Sequence, residues 1–193
     1  EYVIITHPDL MQIGTESEYV QYRASAAGGA YRAKAYSILE LYDEFGYGIV
    51  KHPQAIRNFV EFMQRKWPSA KMIFVVGRGI EYNRSRYANG TWEGIFFVPT
   101  FGRPGGDNLL AATLWDLLPR YPIGRLAVTK PEGIDIYLRK VKEHDLARYA
   151  GQTLSEKKWI KNVMHLGGGK DVDEQNDFED IIKSMGDDLA SSG

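Results

Sequence analysis

His165 opens the run His-Leu-Gly-Gly-Gly-Lys-Asp, the most phosphate-friendly stretch of the chain. A P-loop needs a first glycine five positions before its Gly-Lys pair and a Ser or Thr after the lysine. Met164 and Asp171 stand at those places, so nucleotide binding of that type is not expected. Gly77-Arg78-Gly79 likewise lacks the third glycine of the dinucleotide fingerprint, and Arg78 would crowd a pyrophosphate turn. The acids Asp171, Asp173, Glu174 and Asp177 could serve a calcium ion, since hard cations want several carboxylates on one loop. Counted as an EF-hand from Asp171, the run has Asn176 where glycine belongs and Ile182 where the bidentate glutamate belongs. A solvated helix start whose carboxylates complement the dipole is the better account, so no cofactor is expected, calcium being the possible exception.

The four histidines, His7, His52, His144 and His165, lie far apart, with no histidine four residues on and no cysteine nearby. Zinc binding therefore has no ligand set. No G-x-S-x-G elbow is present for serine catalysis. The chain contains no cysteine, which removes disulfides, thiolate metal sites and thiol catalysis from these 193 residues.

The elements that must position these residues follow from hydrophobic spacing. Tyr2 to Thr6, Lys71 to Gly77, Ile123 to Val128 and Asn162 to Gly167 are short, non-alternating apolar runs, as strands buried on both faces read. Between them, Ile56, Phe59, Val60 and Met63 recur at helical spacing. So do Ile134, Tyr137, Leu138 and Val141, and later Phe178, Ile181, Ile182 and Met185, giving three amphipathic helices. Pro53 suits the first turn of the first helix, and Thr129 with Glu132 suits a capping box on the second. A helix over 18–27 leading into a strand over 31–37 completes an α/β alternation, which predicts a parallel sheet covered by helices on both faces.

Residues 81–118 break the pattern. They are rich in Tyr, Trp, Phe, Gly and Pro, with an Asn89-Gly90 turn that could close a hairpin between Arg86-Tyr87 and Thr91-Trp92. Such an insertion is either a functional lid or a surface loop packed on its own aromatic residues. Residues 186–193 read as a frayed tail.

Composition bounds the rest. With 44% apolar and 25% charged residues, the chain can bury a core. A net charge of −1 with scattered Lys and Arg gives no field for nucleic acid. No apolar run reaches the roughly 20 residues that span a bilayer. The opening EYVIITHPDL has neither the basic flank nor the cleavage site of a signal peptide and reads as a cut within a longer protein.

From Tyr2 to Gly169, the order and spacing of several segments resemble the gingipain-like cysteine peptidases, in particular the sortase branch of the bacterial type IX secretion system. The segments are YVIIT, the Tyr22-Arg23 pair, and YDEFGYG with Asp43, Phe45 and Gly48, read as an acidic-aromatic-glycine turn before the Ala55-Ile56-Arg57 helix. Next comes Val76-Gly77-Arg78, where the family has Val-Gly-Asp, so any role of that carboxylate is missing here. GRPGGDN resembles the family's Pro-to-Asp-Asp loop, with Asp107 matching its first acid. IGRLAV with Gly124 and Arg125, the Lys140 helix, Trp159 and HLGGG with Gly168 complete the match.

The resemblance implies a three-layer, caspase-like (Rossmann-like) α/β fold with a mostly parallel sheet flanked by helices, truncated. Residues 1–158 would form the first, non-catalytic subdomain, and residues 159–193 the start of the catalytic one. The nucleophilic Cys and its His partner would lie in the rest of the parent polypeptide, leaving the fragment inactive. Asp173, Glu174 and Gln175 would border a pocket for a protein or peptide substrate. The location implied is secreted, periplasmic or at the outer membrane and cell surface of a bacterium. The alternative is a non-catalytic binding module on the same fold that uses the aromatic insertion 82–101. In either case the shortened sheet is expected to leave an edge strand open.

Overall fold

A computed structural model describes residues 1–87, 92, 94–112, 117–150 and 153–192. Contacts divide the chain into two compact units, 1–147 and 148–193.

The first unit is built on four parallel strands in the order β2-β1-β3-β4: β1 (Tyr2–Thr6), β2 (Ala33–Ser37), β3 (Met72–Val76) and β4 (Ile123–Leu126). The register runs Ile4 to Ala35 on one side and Ile4 to Phe74 on the other, and Phe74 faces Gly124 across the next pair. Every residue of β1 is buried, as a central parallel strand covered on both faces requires. The sheet order makes β2 and β4 its edges. Gly14 exchanges both backbone hydrogen bonds with Ala35, 2.9 and 2.8 Å, and blunts the β2 edge. Beyond β4 no further strand lies among the described residues.

On one face, α1 (Glu18–Ala24) and α5 (Glu132–Tyr149) lay rings on β3. Tyr19 stacks on Phe74 at 5.3 Å, and Phe74 stacks on Tyr137 at 5.7 Å. A polar seam joins the two helices beside these rings. The Tyr22 hydroxyl donates to Asp145 at 3.0 Å, Arg23 Nε donates to the Tyr19 hydroxyl at 3.2 Å, and Lys142 pairs with Glu18 at 2.7 Å.

On the other face lie α2 (Ile38–Phe45) and α3 (Gln54–Lys66), whose Ile38, Leu41, Ile56, Phe59, Val60 and Met63 are buried. Each such aliphatic or aromatic side chain contributes about 1.5–3 kcal/mol by leaving water. Asn58 Nδ2 donates to the Phe45 carbonyl at 2.7 Å and holds the two helices together at the end of α2.

Several expectations change, among them the frayed tail over 186–193, whose residues 186–192 are the end of a helix over Val172–Ser192. The segment around Asp43 and Phe45, read as a turn, is the second half of α2; the turn starts only at Gly46. Its helix start is written in the sequence as Ser37-Ile38-Leu39-Glu40, and the Ser37 hydroxyl accepts from Leu39 N–H at 3.2 Å. Arg86 and Tyr87, read as a hairpin arm, belong to the short helix α4 (Tyr82–Tyr87). The Asn89-Gly90 turn itself lies outside the described residues. Pro53 stands just ahead of α3, where the His52 imidazole accepts from Gln54 N–H at 3.0 Å.

The second unit contains a short 3-10 turn (Lys158–Lys161) and α6 (Val172–Ser192). Residues 162–167, expected as a buried strand, have no ladder partner among the described residues. Val163, Met164 and Leu166 are exposed. No described helix is long and apolar enough to cross a membrane.

Candidate functional site

In a parallel α/β sheet, functional groups gather where the strands end at their carboxyl side. Here that rim is formed by His7 after β1, by Gly77 and Arg78 after β3, and by Val128 after β4. Gly77 N–H donates to Leu126 and Arg78 N–H to Val128, at 2.9 and 2.8 Å, so the β3–β4 pairing continues past the strands. The Arg78 carbonyl accepts from Phe97 and Val98 N–H at 3.0 and 3.3 Å, which brings the insertion onto the rim.

Arg125, on β4, fastens that insertion. Nε and Nη2 reach the two carboxylate oxygens of Asp107, each at 2.8 Å. Nη1 donates to the Gly77 and Val98 carbonyls at 2.7 and 2.9 Å, and Nη2 also donates to the Pro99 carbonyl at 2.8 Å. All of the guanidinium's N–H groups are thereby engaged. A planar fork with bidentate geometry is what only arginine offers, and the arrangement ties β3, β4 and residues 98–107 into one body.

Three further contacts hold the same loop. Phe101 and Gly106 exchange backbone hydrogen bonds at 2.9 Å, Glu81 accepts from Gly105 N–H at 3.0 Å, and the Arg57 guanidinium lies 4.5 Å over the Phe101 ring. Partial burial against that ring pushes the Arg57 guanidinium's pKa down from its ordinary value.

The glycines that looked like a failed dinucleotide motif have a steric purpose. Gly77 is buried with φ +134°, and a Cβ there would lie 2.9 Å from Phe97 Cβ. A Cβ at Gly79 would lie 2.3 Å from Thr100 Cγ2 and 2.9 Å from the Val98 carbonyl oxygen. Both positions let the insertion pass against the strand end without a side chain between them.

Of the residues singled out by sequence, Arg57, Gly77, Asp107 and Arg125 therefore converge around one loop. Asp43 is exposed on α2, Phe45 packs on Phe59 and Phe62 at 5.2 and 5.5 Å, and Gly48 takes φ +73° in the turn after α2. Gly124 lies on β4, where a Cβ would meet nothing within 4 Å. In the second unit, Gly168 is exposed and Asp173, Glu174 and Gln175 form the first turn of α6. Glu174 N–H donates to Asp171 at 3.0 Å, while the Glu174 carboxylate accepts from Lys170 N–H at 2.8 Å, a capping arrangement. Gln175 Nε2 donates to the Gly169 carbonyl at 3.1 Å. Among the described residues, no three His, Cys, Asp or Glu side chains group closely enough to hold a metal ion.

Sequence reasoning did not foresee His7 or Thr100 at the rim. The His7 Nδ1 accepts from Asp9 N–H at 3.2 Å, and its ring meets Phe97 edge-on at 5.4 Å. Thr100 Oγ1 is shielded from solvent and has no hydrogen-bond partner. The contacts described at this rim are positional: they hold residues 97–107 against the ends of β3 and β4.

The first unit is thus a three-layer α/β unit with a parallel sheet and an arginine-moored insertion over its carboxyl end. The chain belongs to peptidase family C25, the gingipain family of cysteine peptidases, whose family model matches residues 1–191. No curated protein sequence matches it significantly. A solved structure with the same fold is the crystal structure of dimeric latent PorU from Porphyromonas gingivalis. The likeness has a TM-score of 0.58 and 16% sequence identity, over 88% of this chain and 18% of that one.

Proposed function

We propose that this chain is the scaffold side of a gingipain-like cysteine endopeptidase of the type IX secretion sortase branch. In that protein, residues 1–158 form the non-catalytic subdomain and residues 159–193 begin the catalytic one. The thiolate and imidazole come from the remainder of the parent polypeptide, since a cysteine peptidase needs both and this chain offers no thiol. Asp173, Glu174 and Gln175 border the pocket for a protein or peptide substrate. The parent acts in the bacterial envelope or outside the cell.

The observation that carries this reading is the Arg125–Asp107 fork, which spends two family-motif residues on holding a loop against the sheet rim. Such a fork serves a cleft wall better than an autonomous active site. The binding-module alternative is weaker, because Phe96, Phe97 and Val98 of the insertion are buried at 4%, 8% and 0% exposure and are therefore used in packing.

The test compares the isolated chain with its full parent on arginyl, lysyl and sorting-signal peptides. The parent is expected to hydrolyse or transpeptidate at least one of them and to lose that activity on thiol alkylation, while the isolated chain turns over none. Turnover by the isolated chain would overturn the proposal, as would a parent insensitive to alkylation.

A further inference from the structure

Between β2, α2 and the end of α3 the first unit opens a cavity of about 610 Å³. Its walls are aromatic. Tyr36 lies 5.7 Å from both Phe59 and Trp67, and Phe45 packs on Phe59 and Phe62. Trp67 stands at 88° to Phe59 and 72° to Phe62 and is tilted 40° from Tyr36, so the rings meet at angles and not as a flat stack. Of these rings Phe59 is buried, and Tyr36, Phe45, Phe62 and Trp67 are partly exposed. These rings pack against the core of the unit and line the open side of that packing.

Charge at the rim selects the occupant. Glu40 and Glu44 lie one helical turn apart on α2, both exposed, both lining the cavity, and neither in an ion pair among the described residues. Among the described residues lining the cavity the one cation is Lys34, whose ammonium sits 5.1 Å from the Tyr36 ring centroid. The chain's own side chain thus shows where a positive charge rests against these rings. Two carboxylates against one ammonium leave the rim negative.

We propose that this cavity binds an organic cation with a methylated ammonium head, of the choline type. A primary ammonium is strongly hydrated and would stay at the exposed carboxylates of the rim, because the ring walls offer few acceptors to replace its water. A quaternary head is weakly hydrated, presents methyl groups to the rings and keeps its charge for the ring faces and the two carboxylates. The site is independent of the peptidase reading, and its test needs no catalytic activity.

The experiment titrates the whole chain with choline and, separately, with 3,3-dimethylbutan-1-ol, which has the same shape without the charge. The readout is the Trp67 indole N–H resonance, assigned with Trp67→Phe. Choline is expected to shift that resonance saturably and to bind at least about fivefold more tightly than the neutral alcohol, the factor a single partly desolvated cation–π contact supplies. Glu40→Gln with Glu44→Gln, both on the surface, should weaken choline several-fold and leave the alcohol unchanged. Lys34→Met should strengthen choline by removing the resident cation. Equal binding of the two compounds, no shift at Trp67, or indifference of choline to the double glutamate change would each overturn the proposal.

Discussion

Arg125 and Asp107, eighteen residues apart, meet in a two-point fork with both nitrogen–oxygen distances at 2.8 Å, and the arginine's remaining donors close on three backbone carbonyls. The side chains are only 10% and 21% exposed, so the pair is sheltered enough to matter to stability. Arg125→Lys keeps the charge and loses the fork. It is expected to cost about 3 kcal/mol, because several carbonyls and a carboxylate lose donors together. Urea denaturation measures the loss, and limited proteolysis should cut within residues 94–112 of the variant and spare the parent sequence.

Gly79→Ala should destabilise by about 1–3 kcal/mol through overpacking against Thr100 and the Val98 carbonyl. Thr100→Ser removes the nearer obstacle, Cγ2, and should restore part of that loss. A double-mutant cycle on thermal midpoints gives the coupling; additive effects would mean that the two residues do not meet as described.

Asn58→Ala removes the side-chain bond to the Phe45 carbonyl that joins α3 to the end of α2. A cost of about 1 kcal/mol is expected. Hydrogen exchange should show faster opening in the last turn of α2 and unchanged protection in β1.

Burial raises the hydroxyls of Tyr2 and Tyr42 well above the ordinary tyrosine value of 10.0; for Tyr2, the Tyr19 hydroxyl at 3.0 Å adds to the effect. Above pH 10 the unfolded chain releases these protons while the folded chain keeps them. Stability is therefore unaffected by these groups below pH 10 and falls as pH rises beyond it, by about 1.4 kcal/mol per pH unit for each tyrosine. Tyr2→Phe should make the alkaline limb of a stability–pH profile shallower and leave its neutral region without slope from this group.

β1 and β3 were legible as short apolar runs that the fold buries almost throughout, β4 was read in the same way although it is only partly buried, and β2, with Lys34 exposed, was placed by its position after the helix over 18–27. The missed helix α2 shows the limit: Tyr42-Asp43-Glu44-Phe45 sits next to Gly46 and Gly48, and the glycines drew the turn forward over a helix whose start was spelled at Ser37 and Glu40. The run 162–167 erred in the opposite direction. Its apolar residues match a strand, but a strand exists only where another chain segment pairs with it, and sequence spacing does not reveal the partner. At the rim, Asp107 and Arg125 were marked separately, and nothing in their spacing says that they face each other. That relation is set by the insertion's path, which depends on Gly77 and Gly79 lacking side chains.

The strand that carries the mooring arginine is also the last of the sheet. A strand added beside β4 would lie against the strand whose Arg125 holds Asp107 and the Gly77, Val98 and Pro99 carbonyls. Edge strand and loop anchor thus share one residue, Arg125.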